Sequence, residues 1–371
     1  MKRLESLDIL RGLAIIGTLG TNIWLFSSFG DTSVLFGNDE EFWKTANGIL
    51  QALVLFLVNG KFLGMLTLLF GAGLELKRKR ALKRGERWPG LYLWSCFLLL
   101  IEGYVHYLLV MEYDILMSYA VTAIIVSFVA TKSDRAAKTV MISAGGLHFL
   151  MVVSVFLLTL LSPALSDEVN LNLYRDGSWI DQIMYRFDSF WIYRSESIFI
   201  IPLNVFLFLL GRKLLHLGVF AFDDSGRRWR KKLLKIGIGA LPLNFLLIVQ
   251  GELFMFPVRY LFAPLLSLGY ISLVIMLYER KKNRFFFTRL SEIGRTALSC
   301  YILQNILSSY IFYGWGLGLG GRDNAFLTVS VLLIISCLLA LFSNVWLSYF
   351  PRGPFESLWR WLSYLPTKKT N

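Results

Sequence analysis

The sequence predicts an all-α, polytopic integral membrane protein with about ten transmembrane helices and with both termini in the cytoplasm. Three observations support this prediction. Hydrophobic residues make up 56% and charged residues only 17% of the 371 positions, whereas about a quarter of a soluble domain is charged. The apolar residues fall in long runs, and the loops between them alternate in charge. A mean hydropathy of +0.57 excludes a disordered chain and argues against a soluble enzyme.

The spanning segments follow from the rule that a transmembrane helix needs about 20 mostly apolar residues. The fourth and seventh segments are barely long enough by this rule. The sequence shows no internal repeat and no soluble domain between the segments. We therefore treat residues 1–371 as one transmembrane helical domain, with segments at about 9–29, 46–74, 91–110, 114–130, 138–162, 192–211, 233–250, 260–278, 293–313 and 325–347.

The loops between these segments alternate between acidic and basic along the whole chain. Outer loops are predicted at about 30–46 and 163–191, and basic cytoplasmic loops at about 75–90, 212–235 and 279–292. An excess of Lys and Arg marks cytoplasmic loops, so the number of helices is even. The net charge of +13 is therefore orientation charge, with some attraction to anionic lipid, and it does not require nucleic acid as a partner.

The second outer loop, 163–191, is rich in aromatic residues with charges between them. One interpretation is an aromatic belt at the membrane interface. The other is a lid over an outward-facing cavity.

The sequence offers no metal site and no disulfide framework. Cys96, Cys300 and Cys337 lie inside apolar runs and are interpreted as small core residues. The Cys and His residues have no zinc-ligand spacing. A Walker motif is also missing, which argues against a P-loop ATP-driven pump.

Polar residues inside the first segment form a stripe from its cytoplasmic end towards its outer half. Asp8 and Arg11 are i,i+3 neighbours that can pair, and Arg11, Thr18 and Asn22 share one helix face. The Asp8–Arg11 pair is either a cap and orientation signal or part of a site in which Arg11 holds a phosphate at the cytoplasmic mouth.

Lys61 lies near the middle of the second segment, between Gly60 and Gly64, a spacing of small residues that lets helices approach closely. A lysine at this depth needs a carboxylate, an anionic ligand or a wet cavity. The alternative to a functional role is a buried structural ion pair.

The third segment places Glu102 and His106 at i,i+4, and Asp114 begins the next segment. A carboxylate beside an imidazole orients it and raises its basicity, which is typical of a general base with a supporting acid. We therefore predict His106 as a base oriented by Glu102 or Asp114. His148 has apolar neighbours and is interpreted as a core residue, and His216 as an inert loop residue.

The ninth segment carries a small and polar stripe that includes Gln304. A close helix contact explains such a stripe, and Gln304 can hydrogen-bond across helices. The glycine-rich run that begins at Tyr313 leaves the membrane as an outer loop, and it is not a dinucleotide fingerprint because no strand precedes it.

Five strings of residues occur in order over most of the chain. They are Leu7-Asp8-Ile9-Leu10-Arg11-Gly12; Lys61-Phe62 with Leu68-Leu69-Phe70-Gly71-Ala72-Gly73; His106 with Asp114-Ile115-Leu116 and Tyr119-Ala120; Gly294-Arg295-Thr296-Ala297-Leu298 with Tyr301, Gln304, Tyr313-Gly314 and Gly316-Leu317-Gly318-Leu319; and Arg352-Gly353-Pro354-Phe355-Glu356 with Leu358-Trp359-Arg360. In this order they resemble the YeiB family of bacterial polytopic membrane proteins.

The resemblance implies an activity, because this family is grouped with a transmembrane acyltransferase superfamily that includes the lysosomal heparan-glucosaminide acetyltransferase. Members share the Asp-x-x-Arg-Gly start, matched here by Asp8, Arg11 and Gly12. Tyr113 stands where the family commonly has Gly, and Ser357 where Trp is common. The first outer loop has no early histidine like that of the lysosomal enzyme, so His106 is the best placed substitute.

We therefore expect a membrane-embedded acyltransferase that carries an acyl group from cytoplasmic acyl-coenzyme A to an acceptor at or beyond the outer face of the bacterial cytoplasmic membrane. Membrane lipid, a small-molecule or glycan acceptor and a second copy in a homodimer are the expected partners. The expected roles are catalysis by His106, Glu102 and Asp114, donor binding by Arg11, Arg295 and Lys61, and acceptor binding by Asp8, Asn22, Gln304 and Tyr313.

Two other hypotheses stay open. A proton- or anion-coupled transporter, or a lipid-handling protein without covalent chemistry, would use Lys61, Glu102, His106 and Asp114 as a pathway. The sequence shows neither an inverted repeat nor a pair of broken helices in matching halves, which are the usual signs of a transporter. A structural or sensory membrane protein would leave Lys61 and His106 unexplained.

Overall fold

Helices make up all the regular structure that the computed structural model describes, which covers residues 4–35, 44–161, 171–280 and 284–365. Seven helical stretches are long and apolar enough to cross a membrane, and two shorter apolar helices coincide with the predicted fourth and ninth segments. The predicted seventh segment, 233–250, lies within one long helix. The prediction of an all-α, polytopic membrane protein is confirmed.

The α-helices are numbered in chain order. A 3₁₀ turn at Thr32–Leu35 follows α1, and a π-helical turn at Val258–Phe262 separates α11 from α12. The helices are α1 (Glu5–Ser27), α2 (Ala46–Val58), α3 (Lys61–Lys83), α4 (Gly90–Leu109), α5 (Leu116–Val129), α6 (Asp134–Leu161), α7 (Leu171–Asp176), α8 (Trp179–Asp188), α9 (Phe190–Ser195), α10 (Ser197–His216), α11 (Asp224–Pro257), α12 (Ala263–Glu279), α13 (Arg284–Arg295), α14 (Ala297–Phe312), α15 (Ala325–Tyr349) and α16 (Pro354–Tyr364).

The basic loops are shorter than the sequence predicts. Helix α3 continues to Lys83, α10 continues to His216, and α13 occupies much of the predicted loop 279–292. Lys and Arg are good helix formers, and their long side chains reach water from a helix end. A charge pattern therefore indicates the side of the membrane but not where a helix stops.

The two predicted outer loops lie partly outside the described residues, at 36–43 and 162–170. Within the described part, the second loop is not irregular, because it contains α7 and α8. A capping box between Ser178 and Asp181 begins α8, and the hydrogen bonds from Ser178 lower the pKa of the Asp181 carboxyl.

The predicted second segment, 46–74, is not one helix. Helix α2 ends at Val58 and α3 begins at Lys61. Between them Gly60 has a φ of +75°, and a Cβ there would lie 2.9 Å from Ala263 Cβ and 3.0 Å from the Arg259 carbonyl oxygen. Only glycine tolerates this conformation at so close a contact. The break places Lys61 in the first turn of α3 instead of mid-helix.

A second interruption lies against the first. Gly251 has non-helical angles (φ 39°, ψ −113°) within α11, and the π-helical turn follows before α12. Arg259 and Ala263 from this region pack on Gly60. The molecule therefore contains two interrupted helices in contact, which the sequence did not indicate.

A close helix contact joins α1 to α13 through two glycines. A Cβ on Gly12 would lie 1.9 Å from the Leu290 carbonyl oxygen, and one on Gly294 would lie 1.8 Å from the Asp8 carbonyl oxygen. The predicted ninth segment, 293–313, begins a few residues before the helix that the structure shows there. Residues up to Arg295 belong to α13, and α14 begins at Ala297.

We expect Gly294→Ala to destabilise the protein by about 1–3 kcal/mol, because the added methyl group forces α1 and α13 apart. Gly146→Ala is the matched control, since a Cβ at this helical glycine meets nothing within 4 Å and alanine has the higher helix propensity. Thermal unfolding in detergent measures both variants. Equal melting temperatures for the two variants would contradict the close packing of α1 on α13.

Candidate active site

A buried imidazole and carboxylate form the centre of the site. His106, near the end of α4, has its Nδ1 atom 2.9 Å from Asp114 Oδ1, and their side chains are only 3% and 0% exposed. Asp114 is held in turn: its Oδ1 accepts from the Tyr301 hydroxyl at 3.0 Å, and its Oδ2 accepts from the backbone N–H of Leu116 at 2.8 Å. Helices α4, α5 and α14 thus meet at one carboxylate.

Donors and acceptors fix the tautomer of a neutral His106. A carboxylate can only accept, so Nδ1 carries the proton and Nε2 carries the lone pair. Nε2 then accepts from the Asn305 amide nitrogen at 3.2 Å. The Asn305 Oδ1 atom accepts from Asn22 at 3.4 Å. The basic atom of the dyad is therefore Nε2, held by one amide.

Glu102 takes no part in this dyad. Asp114, and not Glu102, is the carboxylate bonded to His106. Both Glu102 carboxyl oxygens are buried and have no hydrogen-bond partner among the described residues. The i,i+4 spacing puts Glu102 on the same face as His106, but the loop between α4 and α5 folds Asp114 back onto the imidazole first.

A cavity of about 380 Å³ lies beside the dyad, a size that suits a small ligand. Most of its wall is apolar, including Leu69, Phe70 and Leu99. Tyr301 lines this cavity and also donates to Asp114. The dyad is thus one side chain away from the cavity.

Three basic side chains line the same cavity near the helix ends that the charge pattern assigns to the cytoplasm. Arg11, Lys77 and Arg295 are cationic, and Asp8 and Glu356 are acidic. Arg11 Nη1 lies 3.3 Å from Asp8 Oδ1. The Glu356 carboxylate accepts hydrogen bonds from the start of α14. The rim therefore carries a surplus of positive charge, which suits phosphate groups.

Helix α16 covers this rim. Glu356 caps the start of α14, accepting from the Leu298 N–H at 2.7 Å and from the Ser299 hydroxyl at 2.6 Å. Trp359 lines the cavity, and the Lys77 ammonium lies 4.8 Å from its ring and 5.3 Å from that of Tyr92. A ligand that enters from this side must pass α16.

The opposite side of the dyad is covered by α7, α8 and α9, here called the outer cover. Arg186 Nε donates to Glu112 at 3.2 Å, with both side chains at most 2% exposed. Arg194 donates to the Asp114 carbonyl oxygen at 2.8 Å. Trp179, Ile180, Met184 and Phe187 of α8 are exposed. The aromatic segment therefore has an outward apolar face and a polar face packed over the dyad.

The remaining predicted residues lie apart from the cavity wall. Lys61 is fully buried in the first turn of α3, and Gln304 is fully buried with neither amide atom hydrogen-bonded within the described part of the chain. Tyr313 packs against Tyr174 with ring centroids 4.8 Å apart, under the outer cover. Of the predicted set, Asp8, Arg11 and Arg295 line the cavity. His106 and Asp114 form the dyad, and Asn22 donates a hydrogen bond to Asn305.

Several residues of the site were missed as site residues. Lys77 belongs to the predicted basic loop 75–90, whereas the structure places it in α3, one turn after Gly73 on the same face. Tyr301, Glu356 and Trp359 fall within strings that carry the family resemblance, which was the available signal. No pattern indicated Asn305, because its contacts with His106 and Asn22 join distant parts of the chain.

The fold and the site define a class of protein: a polytopic helical membrane protein with a buried His–Asp dyad beside a cavity with a basic rim. Comparison with known proteins gives the family. The chain is 30% identical to the uncharacterized protein YxaH of Bacillus subtilis (strain 168), covering 98% of this chain and 95% of that protein. It is 28% identical to the uncharacterized protein YeiB of Escherichia coli (strain K12), covering 98% and 97%.

A family model described as "Protein of unknown function (DUF418)" matches residues 214–366. A 39.9 kDa protein encoded in the amylase 3′ region of Bacillus acidopullulyticus is also similar, at 25% identity over 98% of this chain and 94% of that protein. The chain therefore belongs to the YeiB (DUF418) family, and the resemblance inferred from the sequence is confirmed.

Proposed function

We propose that the protein is a membrane-embedded acyltransferase of the bacterial cytoplasmic membrane, which moves an acyl group from cytoplasmic acyl-coenzyme A to an acceptor at the outer face. The observation that carries the proposal is the position of the His106–Asp114 dyad. Only Tyr301 separates the dyad from a largely apolar cavity, and Arg11, Lys77 and Arg295 line the other end of that cavity. A thioester donor has the matching polarity, with phosphates at one end and an acyl chain at the other.

The residues of the site can support a complete acyl transfer from the thioester to the acceptor. Arg11, Lys77 and Arg295 bind the donor phosphates, and the acyl chain lies along the apolar wall towards Tyr301. Nε2 of His106 takes the proton of an acceptor hydroxyl or amine, whose heteroatom bonds to the thioester carbonyl carbon. The C–S bond breaks, and the coenzyme A thiolate leaves and takes up the proton. Asp114 holds the imidazolium, and no metal is required.

In this proposal the donor and the acceptor reach the dyad from opposite sides, one covered by α16 and the other by the outer cover. The donor enters past α16 and the acceptor past the outer cover, and Asn305 must release Nε2 before His106 acts. Membrane lipid surrounds the helices, and the acceptor is a small molecule or a glycan. The family's grouping with acyltransferases supports this proposal as an analogy of fold.

Occupancy of the cavity by the donor is the first test. Ser95 lines the cavity and is partly exposed, so Ser95→Cys, in a Cys96→Ala and Cys337→Ala background, reports access to a thiol reagent. Acyl-coenzyme A at about 100 times its dissociation constant leaves about 1% of sites free, and labelling should slow by about 100-fold. The protection should weaken when Arg11 and Arg295 are both changed to Ala.

A cysteine at Thr131, an exposed position outside the cavity, is the control and should label at one rate with and without ligand. Unchanged labelling of Ser95→Cys at saturating acetyl- and longer acyl-coenzyme A would remove the donor from this cavity. Slower labelling at both positions would indicate an effect of the ligand on the reagent instead.

A transporter is the second candidate, favoured by one observation. The interrupted helices at Gly60 and Gly251 resemble the discontinuous helices that carry transporter binding sites. Vesicle flux without any acylated product would support transport over transfer. In that case the dyad would be part of a proton pathway.

A further inference from the structure

The break between α2 and α3 contains an ammonium group that the proposed acyltransferase chemistry does not use. Lys61 is 0% exposed, and its Nζ atom has no hydrogen-bond or ion-pair partner among the described residues. It lies outside the wall of the cavity that holds Arg11 and Arg295. A buried cation without a counter-charge is costly, and it therefore needs an explanation.

The start of α3 adds a second source of positive potential at the same point. Gly60 has no side chain to cap the helix. The first N–H with an acceptor in this turn is that of Gly64, which donates to the Gly60 carbonyl oxygen at 3.1 Å. The N–H groups of Lys61, Phe62 and Leu63 precede it and point out of the helix end. Helix α3 is 23 residues long, so its dipole is fully developed.

The Lys61 side chain extends into this break. Side chains on a helix lean towards its N-terminus, and Nζ lies 5.7 Å from the centre of the Phe56 ring, which belongs to α2 on the other side of the break. The ring contacts one side of the ammonium, and its N–H groups have no hydrogen-bond acceptor in the described part of the chain. The ammonium and the free helix N–H groups are therefore directed at one place.

Among the described residues, no carboxylate lies within hydrogen-bond distance of Lys61 Nζ. Glu196 accepts from the Tyr260 hydroxyl. Glu75, at the far end of α3, is bound by Arg78, Arg212 and His216. A side chain at Gly60 would meet the Ala263 Cβ atom at 2.9 Å and the Arg259 carbonyl oxygen at 3.0 Å, so the break is closely packed on this side.

We propose that a small inorganic anion of halide size binds in the break between α2 and α3, on Lys61 Nζ and the first-turn N–H groups of α3. This site goes beyond the proposed transfer reaction and does not depend on it. It is a structural anion site that holds the two halves of an interrupted helix together.

The test is anion-dependent thermal unfolding of the purified full-length protein in detergent, at constant ionic strength. Chloride or bromide in place of gluconate should raise the melting temperature of the wild type by several degrees. Sulfate raises the melting temperature of folded proteins by exclusion from their surface, so its effect should be equal in the wild type and in Lys61→Met. Lys61→Met should lose the halide effect, while Lys77→Met, a lysine of the same helix that lines the cavity, should keep it.

Each result decides the proposal. A wild-type melting temperature that is equal in chloride, bromide and gluconate overturns it, and this measurement needs no variant to fold. A halide effect that persists in Lys61→Met places the anion elsewhere. A Lys61→Met protein that melts higher than wild type in every salt indicates an empty break with an uncompensated lysine, which also overturns it.

Discussion

His106→Ala should lower acyl transfer by about 10²–10⁴-fold, the usual contribution of a positioned general base. The physical reason is the dyad itself. Asp114 fixes the Nδ1–H tautomer at 2.9 Å and leaves the Nε2 lone pair as the basic atom. The measurement is transfer of a radiolabelled acyl group from acyl-coenzyme A to acceptors in inverted membrane vesicles.

Asp114→Asn, in the same assay, tests whether His106 needs the negative charge of residue 114 or only a side chain of that shape. The amide keeps the shape of the side chain, but its NH₂ group can face Nδ1 and favour the other tautomer, so activity should fall although the fold is kept. Two further hydrogen bonds, from Tyr301 and Leu116, hold this position, and the melting temperature of the variant must therefore be recorded beside its activity.

His148→Gln is the matched control for loss of a buried histidine. His148 is 2% exposed, and its two ring nitrogens lie 3.1 Å from the backbone carbonyl oxygens of Phe199 and Tyr260, so neither contact involves the dyad. This variant should lose stability but retain transfer per folded molecule. If His106→Ala retains full transfer while His148→Gln loses it, the assignment of the base is wrong.

The sequence predicted the fold class, and His106 with either Glu102 or Asp114 as its partner, because both predictions depend on local patterns. Runs of apolar residues give the helices, and His106 and Asp114 are only eight residues apart. The sequence did not choose between Glu102 and Asp114, since the choice depends on how the loop from Val110 to Ile115 turns. That turn is decided by contacts with α14 and the outer cover.

Long-range contacts account for most of what the sequence did not reveal. The break at Gly60 requires a positive φ and a close approach of Ala263, and neither is visible in a hydropathy pattern. Helix α16 covers the cavity through hydrogen bonds that Glu356 accepts from Leu298 and Ser299, residues more than fifty positions away. Packing between distant segments, and not local propensity, therefore assembles the cavity.

The second large effect is expected at the buried ion pair that fastens the outer cover over the dyad. Arg186 and Glu112 are at most 2% exposed, and Arg186 also donates to the Leu108 carbonyl oxygen at 3.0 Å. Burial lowers the pKa of Arg186 and the Glu112 carboxylate raises it, with a net shift upward. An arginine side chain stays protonated in proteins, so this pair is ionic.

Removal of one partner leaves the other charge buried and unpaired. Glu112→Gln and Arg186→Met should therefore each destabilise the protein by about 3–5 kcal/mol, whereas the double variant should lose much less than the sum. Unfolding in detergent with the four proteins of a double-mutant cycle measures this coupling. The exposed pair of Arg84 and Glu86, 2.6 Å apart, is the control, and Arg84→Ala should leave the melting temperature unchanged.

The same cycle shows whether the outer cover closes the site. Arg194 binds the carbonyl oxygens of Asp114 and Glu112, so a cover loosened at Arg186 also loosens its contact with the dyad. If the cover restricts the acceptor, Arg186→Met should bind the donor as the wild type does and admit the acceptor more easily, giving a lower KM for the acceptor. A cycle with strictly additive losses would mean that the pair carries no coupling, and the cover would then be held by its other contacts, which include the hydrogen bonds of Arg194.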